Sequence, residues 1–332
     1  MVIRTDAGLY VPEADLYIDP LRPVHRAVVT HGHADHARRG SEHYLAAASG
    51  VGILRKRLGD EARIEAIAFG ERRRLGGATL SLHPAGHILG SAQVRIEVGG
   101  EVWLVTGDYK RTPDASAEPF ESLRCHTLIS ECTFGLPVYR WPEPDGVFRE
   151  IERWWVENAA EGRTTLLCGY SLGKAQRLLA GLLPFMEGGG APGTILVHGA
   201  VDELLPAYRA EGIAFPPTER VSVETAREHR GTALVVAPPS AAGTAWVRKL
   251  GPVSVGFASG WMRIRGRRRR RSGDRGFVLS DHVDWDGLMA TIDESGAERV
   301  GLTHGQTGTA MRYLTEERGL DTFAIATREG DA

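Results

Sequence analysis

The amino-acid sequence predicts an α/β protein built in two parts. Within roughly the first 135 residues, short β-type runs alternate with glycine-rich turns, and residues 144–160 then change to a helical period. From there to about residue 255, strand-like and helical segments follow one another in regular alternation. Such alternation is typical of a parallel sheet, and 332 residues suffice for about two domains.

The first part is expected to be rich in strands, because its apolar runs are short and contain many β-branched residues. Gly99 and Gly100 lie between two of these runs and predict a hairpin turn. Asp145 is the expected N-cap of the helix over 144–160. The predicted strands are 16–19, 26–30, 78–83, 93–98, 102–106 and 127–130.

The second part is expected to form a small parallel sheet, because each apolar run is followed by a helical period. The three strand–helix pairs are 164–168 with 174–186, 194–198 with 201–209, and 233–237 with 241–249. Further along, strands at 276–280 and 299–303 are expected to flank a helix at about 285–295.

The composition is that of an ordinary globular protein, with 42% hydrophobic residues, 25% charged residues and a formal net charge of −2. No window approaches the ~20 apolar residues of a membrane span, and the N-terminus lacks the apolar segment of a secretory signal. Three cysteines without a CxxC pair argue against a disulfide framework. We therefore expect a cytoplasmic protein that does not associate with membranes.

The strongest chemical signal is His-Gly-His-Ala-Asp-His at residues 31–36, directly after a β-type run. Three imidazoles and one carboxylate within six residues exceed anything that packing requires. Nitrogen and oxygen donors without cysteine suit zinc or manganese better than a thiolate site would. The segment therefore predicts a metalloenzyme.

Four more polar residues follow β-type runs, and they are Asp19, His87, Asp108 and His304. Each alone is also compatible with an ordinary turn or loop. Together they complete a two-metal site, in which ions about 4 Å apart share a bridging carboxylate and a bridging water. The expected sets are His31, His33 and His87 for one ion and Asp35, His36 and His304 for the other, with Asp108 bridging and Asp19 orienting a ligand imidazole from outside.

The order Asp19, His31-x-His33-x-Asp35-His36, His87, Asp108 resembles the metal-site series of the metallo-β-lactamase fold. That resemblance implies an αββα sandwich. Proteins of this fold hydrolyse lactams, thioesters and nucleic acids.

Three further segments resemble the motifs of the β-CASP branch of that superfamily. Ser130-Glu-Cys-Thr-Phe-Gly resembles the first motif, Ser280-Asp-His the second and Thr303-His-Gly the third. The resemblance implies a metallo-β-lactamase domain at 1–139 and 273–332 and an inserted β-CASP domain at 140–272. It also implies phosphodiester cleavage, in which His282 protonates the leaving group and Glu131 holds His282 in place. The implied catalytic residues are Asp35, Asp108, Glu131 and His282.

The segment Gly169-Tyr-Ser-Leu-Gly-Lys174 places Ser171 and Lys174 at a predicted helix N-terminus, which is a favourable site for phosphate. A serine cap with a solvated lysine explains the same residues equally well. The segment resembles the stretch near the terminal phosphate pocket of Artemis- and Apollo-type DNA nucleases. The resemblance implies that a 5′-phosphate binds here.

Seven arginines lie within the nine residues from Arg263 to Arg271. Arginine clusters bind backbone phosphates, so Arg263, Arg265 and Arg267 are candidate contacts, and Trp261 could stack on an unpaired base. A solvated loop is the alternative. Residues 256–282 as a whole resemble the bacterial ligase-associated DNA exonucleases, which implies an ATP-dependent DNA ligase and a helicase as partners.

The sequence therefore favours a metal-dependent DNA exonuclease that starts from a 5′-phosphorylated end in DNA repair. Its cofactors would be two divalent ions (zinc, manganese or both), and its substrate single-stranded DNA or a duplex with an end. The alternative is an RNA-processing enzyme of the RNase J or 3′-end-processing type, because the third motif often has His in RNA-acting members and Val in DNA-acting ones. A small-molecule hydrolase is disfavoured, since it has no use for Ser171, Lys174 or the arginines.

Overall fold

The computed structural model describes residues 1–264 and 273–325. The chain divides into two compact units. Unit 1 comprises Met1–Pro113, Ala117–Arg140 and the chain from His282 onward, and unit 2 comprises Asp114–Ser116 and Trp141–Asp281.

The first sheet of unit 1 has six strands in chain order, β1 to β6. The first three are antiparallel neighbours, and β3 to β6 run parallel to one another. The strands are β1 (Ile3–Thr5), β2 (Gly8–Val11), β3 (Leu16–Ile18), β4 (Arg26–Val28), β5 (His43–Ala47) and β6 (Ile64–Ile67).

The second sheet of unit 1 has seven strands. In chain order they are β7 (Arg73–Leu75), β8 (Ala78–Pro84), β9 (Ala92–Val98), β10 (Glu101–Val105), β11 (Thr127–Glu131), β18 (Arg299–Thr303) and β19 (Asp321–Ala324). Their order across the sheet is β19-β18-β11-β10-β9-β8-β7. The predicted hairpin is confirmed, because β9 and β10 pair antiparallel and Gly99 and Gly100 have φ of 58° and 91°. Positive φ at both central residues is what a type I′ turn requires.

The two sheets of unit 1 face each other across one apolar core, which includes Leu16 and Val28 of the first sheet and Leu82 and Ile96 of the second. Helices cover both outer faces. Helix α1 (Val51–Leu58) packs on the first sheet, and α7 (Trp285–Ser295) and α8 (Thr307–Glu316) pack on the second. Unit 1 is thus the αββα sandwich that the sequence predicts.

Unit 2 is built on a six-stranded sheet in which every pair is parallel, as the alternation of strands and helices predicts. Its strands are β12 (Thr164–Cys168), β13 (Ile195–Val197), β14 (Thr218–Arg220), β15 (Leu234–Ala237), β16 (Val253–Ala258) and β17 (Arg275–Phe277), in the order β14-β13-β15-β12-β16-β17. Its helices are α2 (Pro144–Ala160), α3 (Lys174–Glu187), α4 (Gly199–Asp202), α5 (Leu205–Ala210) and α6 (Val223–Glu228).

Unit 2 differs from the sequence-based expectation at its ends. It extends to Asp281, beyond the expected boundary at 272, because β17 pairs with β16 and so belongs to this sheet. Helix α2 begins at Pro144, which places Asp145 in the first turn and not at the N-cap.

Two of the helices predicted for unit 2 differ from the elements observed. The helix expected over 201–209 is divided into α4 and α5. The helix expected over 241–249 is replaced by 3₁₀ turns at Pro239–Ala241 and Ala245–Leu250. Gly243 has a φ of 76°, which is incompatible with a right-handed helix, and the Thr244 side chain caps the second turn. Within 1–264 and 273–325, no helix combines the length and apolar character that a membrane crossing demands.

Gly181 in α3 tests the close packing of α2 against α3. A Cβ atom at this position would lie 2.1 Å from the Cζ atom of Phe148, a buried residue of α2. We expect Gly181→Ala to lower the free energy of unfolding by about 1–3 kcal/mol in urea denaturation, although alanine is the better helix former.

Gly146→Ala in α2 is the matched control, because nothing lies within 4 Å of the added atom. Helix propensity alone should raise its stability by up to about 1 kcal/mol. Equal stabilisation of both variants would contradict the packing described here.

Candidate metal centre and active site

Strand ends place the predicted ligands of unit 1. Asp19 directly follows β3, and the His31–His36 segment begins three residues after β4. His87, Asp108 and His304 follow β8, β10 and β18, while Glu131 is the last residue of β11. Loops at strand ends carry functional side chains on a rigid support.

One group of donor atoms converges on a single point. His31 Nε2 lies 3.0 Å and His87 Nε2 lies 3.1 Å from His33 Nδ1. Asp108 Oδ2 lies 3.5 Å from His31 Nε2 and 3.8 Å from His87 Nε2. A tetrahedral ion with ligands at 2.0–2.1 Å separates its donors by about 3.3 Å. The four residues, which bring one donor atom each within 4.8 Å of the others, therefore fit a divalent ion.

A second set of donors surrounds His36. Its Nε2 lies 3.5 Å from Asp108 Oδ2 and 3.7 Å from Asp35 Oδ2. The ring of His304 lies 5.8 Å from that of His36, and among the described residues its buried Nδ1 has no hydrogen-bond partner. A buried ring nitrogen without a partner is costly unless a ligand occupies it. Asp108 is common to both sets, as expected of a bridging residue.

Asp19 orients the imidazoles of His31 and His36 from outside the two donor sets. Its Oδ1 accepts the Thr30 backbone N–H at 2.8 Å, and its Oδ2 accepts the Thr30 hydroxyl at 2.6 Å and His36 Nδ1 at 2.7 Å. Since the single hydroxyl proton of Thr30 goes to Asp19, His31 Nδ1, 3.1 Å from that oxygen, must be the donor of their hydrogen bond. Both imidazoles then carry a proton on Nδ1 and turn Nε2 to the centre.

The charges of the centre favour a bound cation. Burial lowers the pKa of His31 well below its usual value, so this imidazole is neutral and able to coordinate. Burial opposes ionisation of Asp108, yet His36 and His282 hold its pKa well below the usual range, so it remains a carboxylate. For His36, burial lowers the pKa, but the carboxylates of Asp108 and Asp19 outweigh it and raise the pKa well above its usual value, so a cation must displace the Nε2 proton of this histidine.

Glu131 and His282 form a pair beside the first donor group. His282 Nδ1 lies 2.8 and 3.0 Å from the two Glu131 oxygens, and the His282 ring is 4.7 Å from that of His87. Glu131 is buried and also accepts the Tyr109 backbone N–H at 2.8 Å and the Thr133 hydroxyl at 2.6 Å. Three donors fix the carboxylate, and its contact with Nδ1 in turn fixes the imidazole of His282.

Known proteins resemble this chain over nearly its whole length or over about a third of it. A probable DNA ligase of Opitutus terrae is 35% identical over 326 residues, which is 97% of this chain and 31% of that protein. Cleavage and polyadenylation specificity factor 73 of Drosophila melanogaster is 32% identical over 120 residues, which cover 35% of this chain and 17% of that protein. The chain belongs to the metallo-β-lactamase-fold β-CASP family.

The chain spans about a third or less of the length of these relatives. No protein-family model matches it. A protein of unknown function from Enterococcus faecalis V583 has a similar fold, with a TM-score of 0.58 and 13% identity over 92% of this chain and 79% of that one. The two proteins therefore share a fold although their sequences have diverged.

The predicted phosphate site of this β-CASP protein is built differently from the expectation. Lys174 is buried, and its ammonium group donates to the Leu279 carbonyl at 2.7 Å and pairs with Asp281 at 2.8 Å. The positive charge of Lys174 is therefore paired with a carboxylate of unit 2. Ser171 is half-buried and precedes α3, where the Ala175 N–H already donates to the Tyr170 carbonyl.

The remaining candidates for nucleic-acid contact lie after β16 in unit 2. Trp261 and Arg263 belong to a 3₁₀ turn, and Trp261 packs partly against the core of that unit. Arg265 and Arg267 lie outside the described residues.

Sequence reasoning missed Thr30, whose hydroxyl links Asp19 to His31. Thr30 is tightly enclosed by Gly107, the residue just before Asp108. A Cβ atom at Gly107 would lie 2.8 Å from the Thr30 Cβ. A threonine beside a histidine carries no signal of its own, so only the three-dimensional contacts reveal this role.

We expect Thr30→Val to weaken metal binding about 10- to 100-fold, because His31 loses the acceptor that fixes its tautomer. Chelator competition with the metal-free protein measures this affinity. Thr30→Ser is the matched control, because it keeps the hydroxyl and should bind metal as the parent does. Unchanged affinity in Thr30→Val would show that Thr30 does not orient His31.

Proposed function

We propose that this protein is a metal-dependent DNA exonuclease that hydrolyses phosphodiester bonds from a 5′-phosphorylated end and acts in DNA repair. The convergence of the His31, His33 and His87 nitrogens with Asp108, directly beside the Glu131–His282 pair, carries the proposal. It brings a cation site and a proton donor to one place, which phosphodiester hydrolysis requires.

The donor chemistry suits two ions, zinc or manganese, one held by His31, His33 and His87 and one by Asp35, His36 and His304, with Asp108 shared. When bound, such ions neutralise charge on phosphate oxygens and make water a stronger nucleophile.

The side chains supply the proton transfers. The Asp35 side chain is 64% exposed and can accept a proton from the attacking water. His282 holds its Nδ1–H against Glu131, and a proton on its Nε2 would pass to the departing 3′ oxygen. The buried Glu131 stabilises the imidazolium before that transfer.

The match to a protein named probable DNA ligase supports DNA as the substrate, because it covers 97% of this chain. It also supports a DNA ligase as a partner. We propose an ATP-dependent ligase and a helicase from the resemblance of residues 256–282 to the ligase-associated exonucleases. RNA is the second candidate substrate. Relatives named endoribonuclease and cleavage and polyadenylation specificity factor favour it, as does the position of His304 beside His36.

We assign unit 1 as the metallo-β-lactamase domain and unit 2 as the β-CASP domain. The polar residues that follow parallel strands of unit 2 would contact the nucleic acid, since ligands bind at the carboxyl edges of such sheets. Ser171, Trp261 and Arg263 are the described candidates, and Arg265 and Arg267 continue the series in the sequence.

We expect the metal-loaded protein to release mononucleotides from a 5′-phosphorylated DNA strand and far less from its 5′-hydroxyl or RNA counterpart. Gel analysis of 3′-labelled strands measures this difference. Asp108→Ala should abolish cleavage, because it removes the shared carboxylate. Equal or faster cleavage of RNA would favour the alternative substrate, and full activity in Asp108→Ala would refute the metal site.

His282→Ala tests proton donation to the leaving group. We expect about a 10²- to 10⁴-fold loss of kcat with unchanged metal content, because the 3′ oxygen must depart without a proton. A linkage with sulfur in place of the bridging 3′ oxygen needs no such proton and should restore cleavage by His282→Ala.

Asp108→Ala is the control and should not respond to the sulfur substitution, since it lacks a shared ligand. A loss of metal by His282→Ala, or no rescue by sulfur, would exclude His282 as the proton donor.

A further inference from the structure

Three arginines of unit 1 are bound to the backbone of the metal-binding loop or of its neighbour α1. Arg57, at the end of α1, donates from Nε to the Gly32 carbonyl at 3.1 Å. Arg38 donates from Nε to the Asp35 carbonyl at 3.2 Å, and Arg39 donates from Nε to the Arg57 carbonyl at 2.8 Å. The loop that carries His31 to His36 is thus bordered by three guanidinium groups.

The terminal guanidinium nitrogens of Arg38, Arg39 and Arg57 form no ion pair with a carboxylate of the described residues. Within 1–264 and 273–325, none of the three arginines forms an ion pair. Asp35, the acid closest to Arg38 in the chain, faces His36 instead. Other arginines of unit 1, such as Arg95 and Arg111, pair with glutamates at 2.9 and 2.7 Å.

Three unpaired cations beside a centre that fits divalent cations repel one another and repel the ions. An anion at the same place removes this cost. A guanidinium whose Nε is already bound keeps its two terminal nitrogens in a fixed plane, which suits the oxygens of a phosphate.

We infer that Arg38, Arg39 and Arg57 bind backbone phosphates of the nucleic acid next to the metal centre. This inference rests on the proposed function and adds to it a phosphate-binding surface on the unit that carries the metal ligands. Arg39 gives the sharpest test, because its side chain is exposed and, among the described residues, makes a single hydrogen bond, to the Arg57 carbonyl.

The experiment measures how strongly salt weakens DNA binding. Fluorescence anisotropy follows a labelled, 5′-phosphorylated single strand bound to the metal-loaded protein, with His282→Ala as the parent because it cleaves slowly. We expect Arg39→Gln to bind about 3- to 10-fold more weakly and to reduce the slope of log Kd against log salt by about 0.7, the value for one lost phosphate contact. Arg38→Gln with Arg39→Gln should reduce the slope by about 1.4.

Arg74→Gln is the matched control, since it removes the same charge from an exposed arginine that has no ion pair in the described parts of the chain. Arg74 pairs with Thr79 at the start of β8, about 17 Å along that strand from Pro84 and the His87 loop. Its slope should equal that of the parent. Arg39→Lys keeps the charge and should keep the slope.

The outcomes separate this inference from the proposed function. If the parent binds DNA and Arg39→Gln has the same Kd and slope, the phosphate surface is refuted and the nuclease proposal stands. Loss of metal or of thermal stability without a change in slope would show a purely structural role and refute it as well. If neither DNA nor RNA binds to or is cleaved by the protein, both proposals fail.

Discussion

The Asp19 carboxylate is the contact on which the metal centre depends. It accepts three hydrogen bonds, two from Thr30 and one from His36, and the Thr30 oxygen in turn accepts from His31. One charge thereby fixes the tautomers of imidazoles in both donor sets. Asp19 adopts a φ of 44°, a backbone conformation that costs of order 1–3 kcal/mol for a residue other than glycine. The three hydrogen bonds offset that strain, so the turn after β3 and the centre stabilise each other.

The centre concentrates polar groups where water is largely excluded. His31, His36, His87 and Asp108 are all buried, and the nitrogens of the three histidines lie 3.5–3.8 Å from Asp108 Oδ2. Burying these polar groups together costs free energy in the protein alone, and bound cations remove that cost. Arg38, Arg39 and Arg57 beside this centre have the opposite preference, for an anion. The nucleic acid that we propose as the substrate would satisfy both preferences.

Unit 2 uses part of its charge for its own structure. Lys174 and Arg177 both pair with Asp281, at 2.8 and 3.0 Å, and Arg177 also pairs with Asp114 at 3.1 Å. All four residues are buried or nearly so, and removal of one partner from such a set leaves an uncompensated charge. This network holds the residue that directly precedes His282 in the chain. The lysine of a segment that resembles a phosphate site in the sequence thus pairs with Asp281.

Local chemistry determined what the sequence predicted well. The His31–His36 segment, the Gly99–Gly100 hairpin and the strand–helix alternation of unit 2 each act through residues close together in the chain, so their patterns are visible without a structure. Contacts between separate segments of the chain decided the rest. Lys174 meets Leu279 and Asp281 and not the surface, β17 joins the sheet of unit 2, and His304 lies beside His36. A lysine, a strand or a histidine has the same local pattern whichever partner it finds, and only the packing of the folded chain selects that partner.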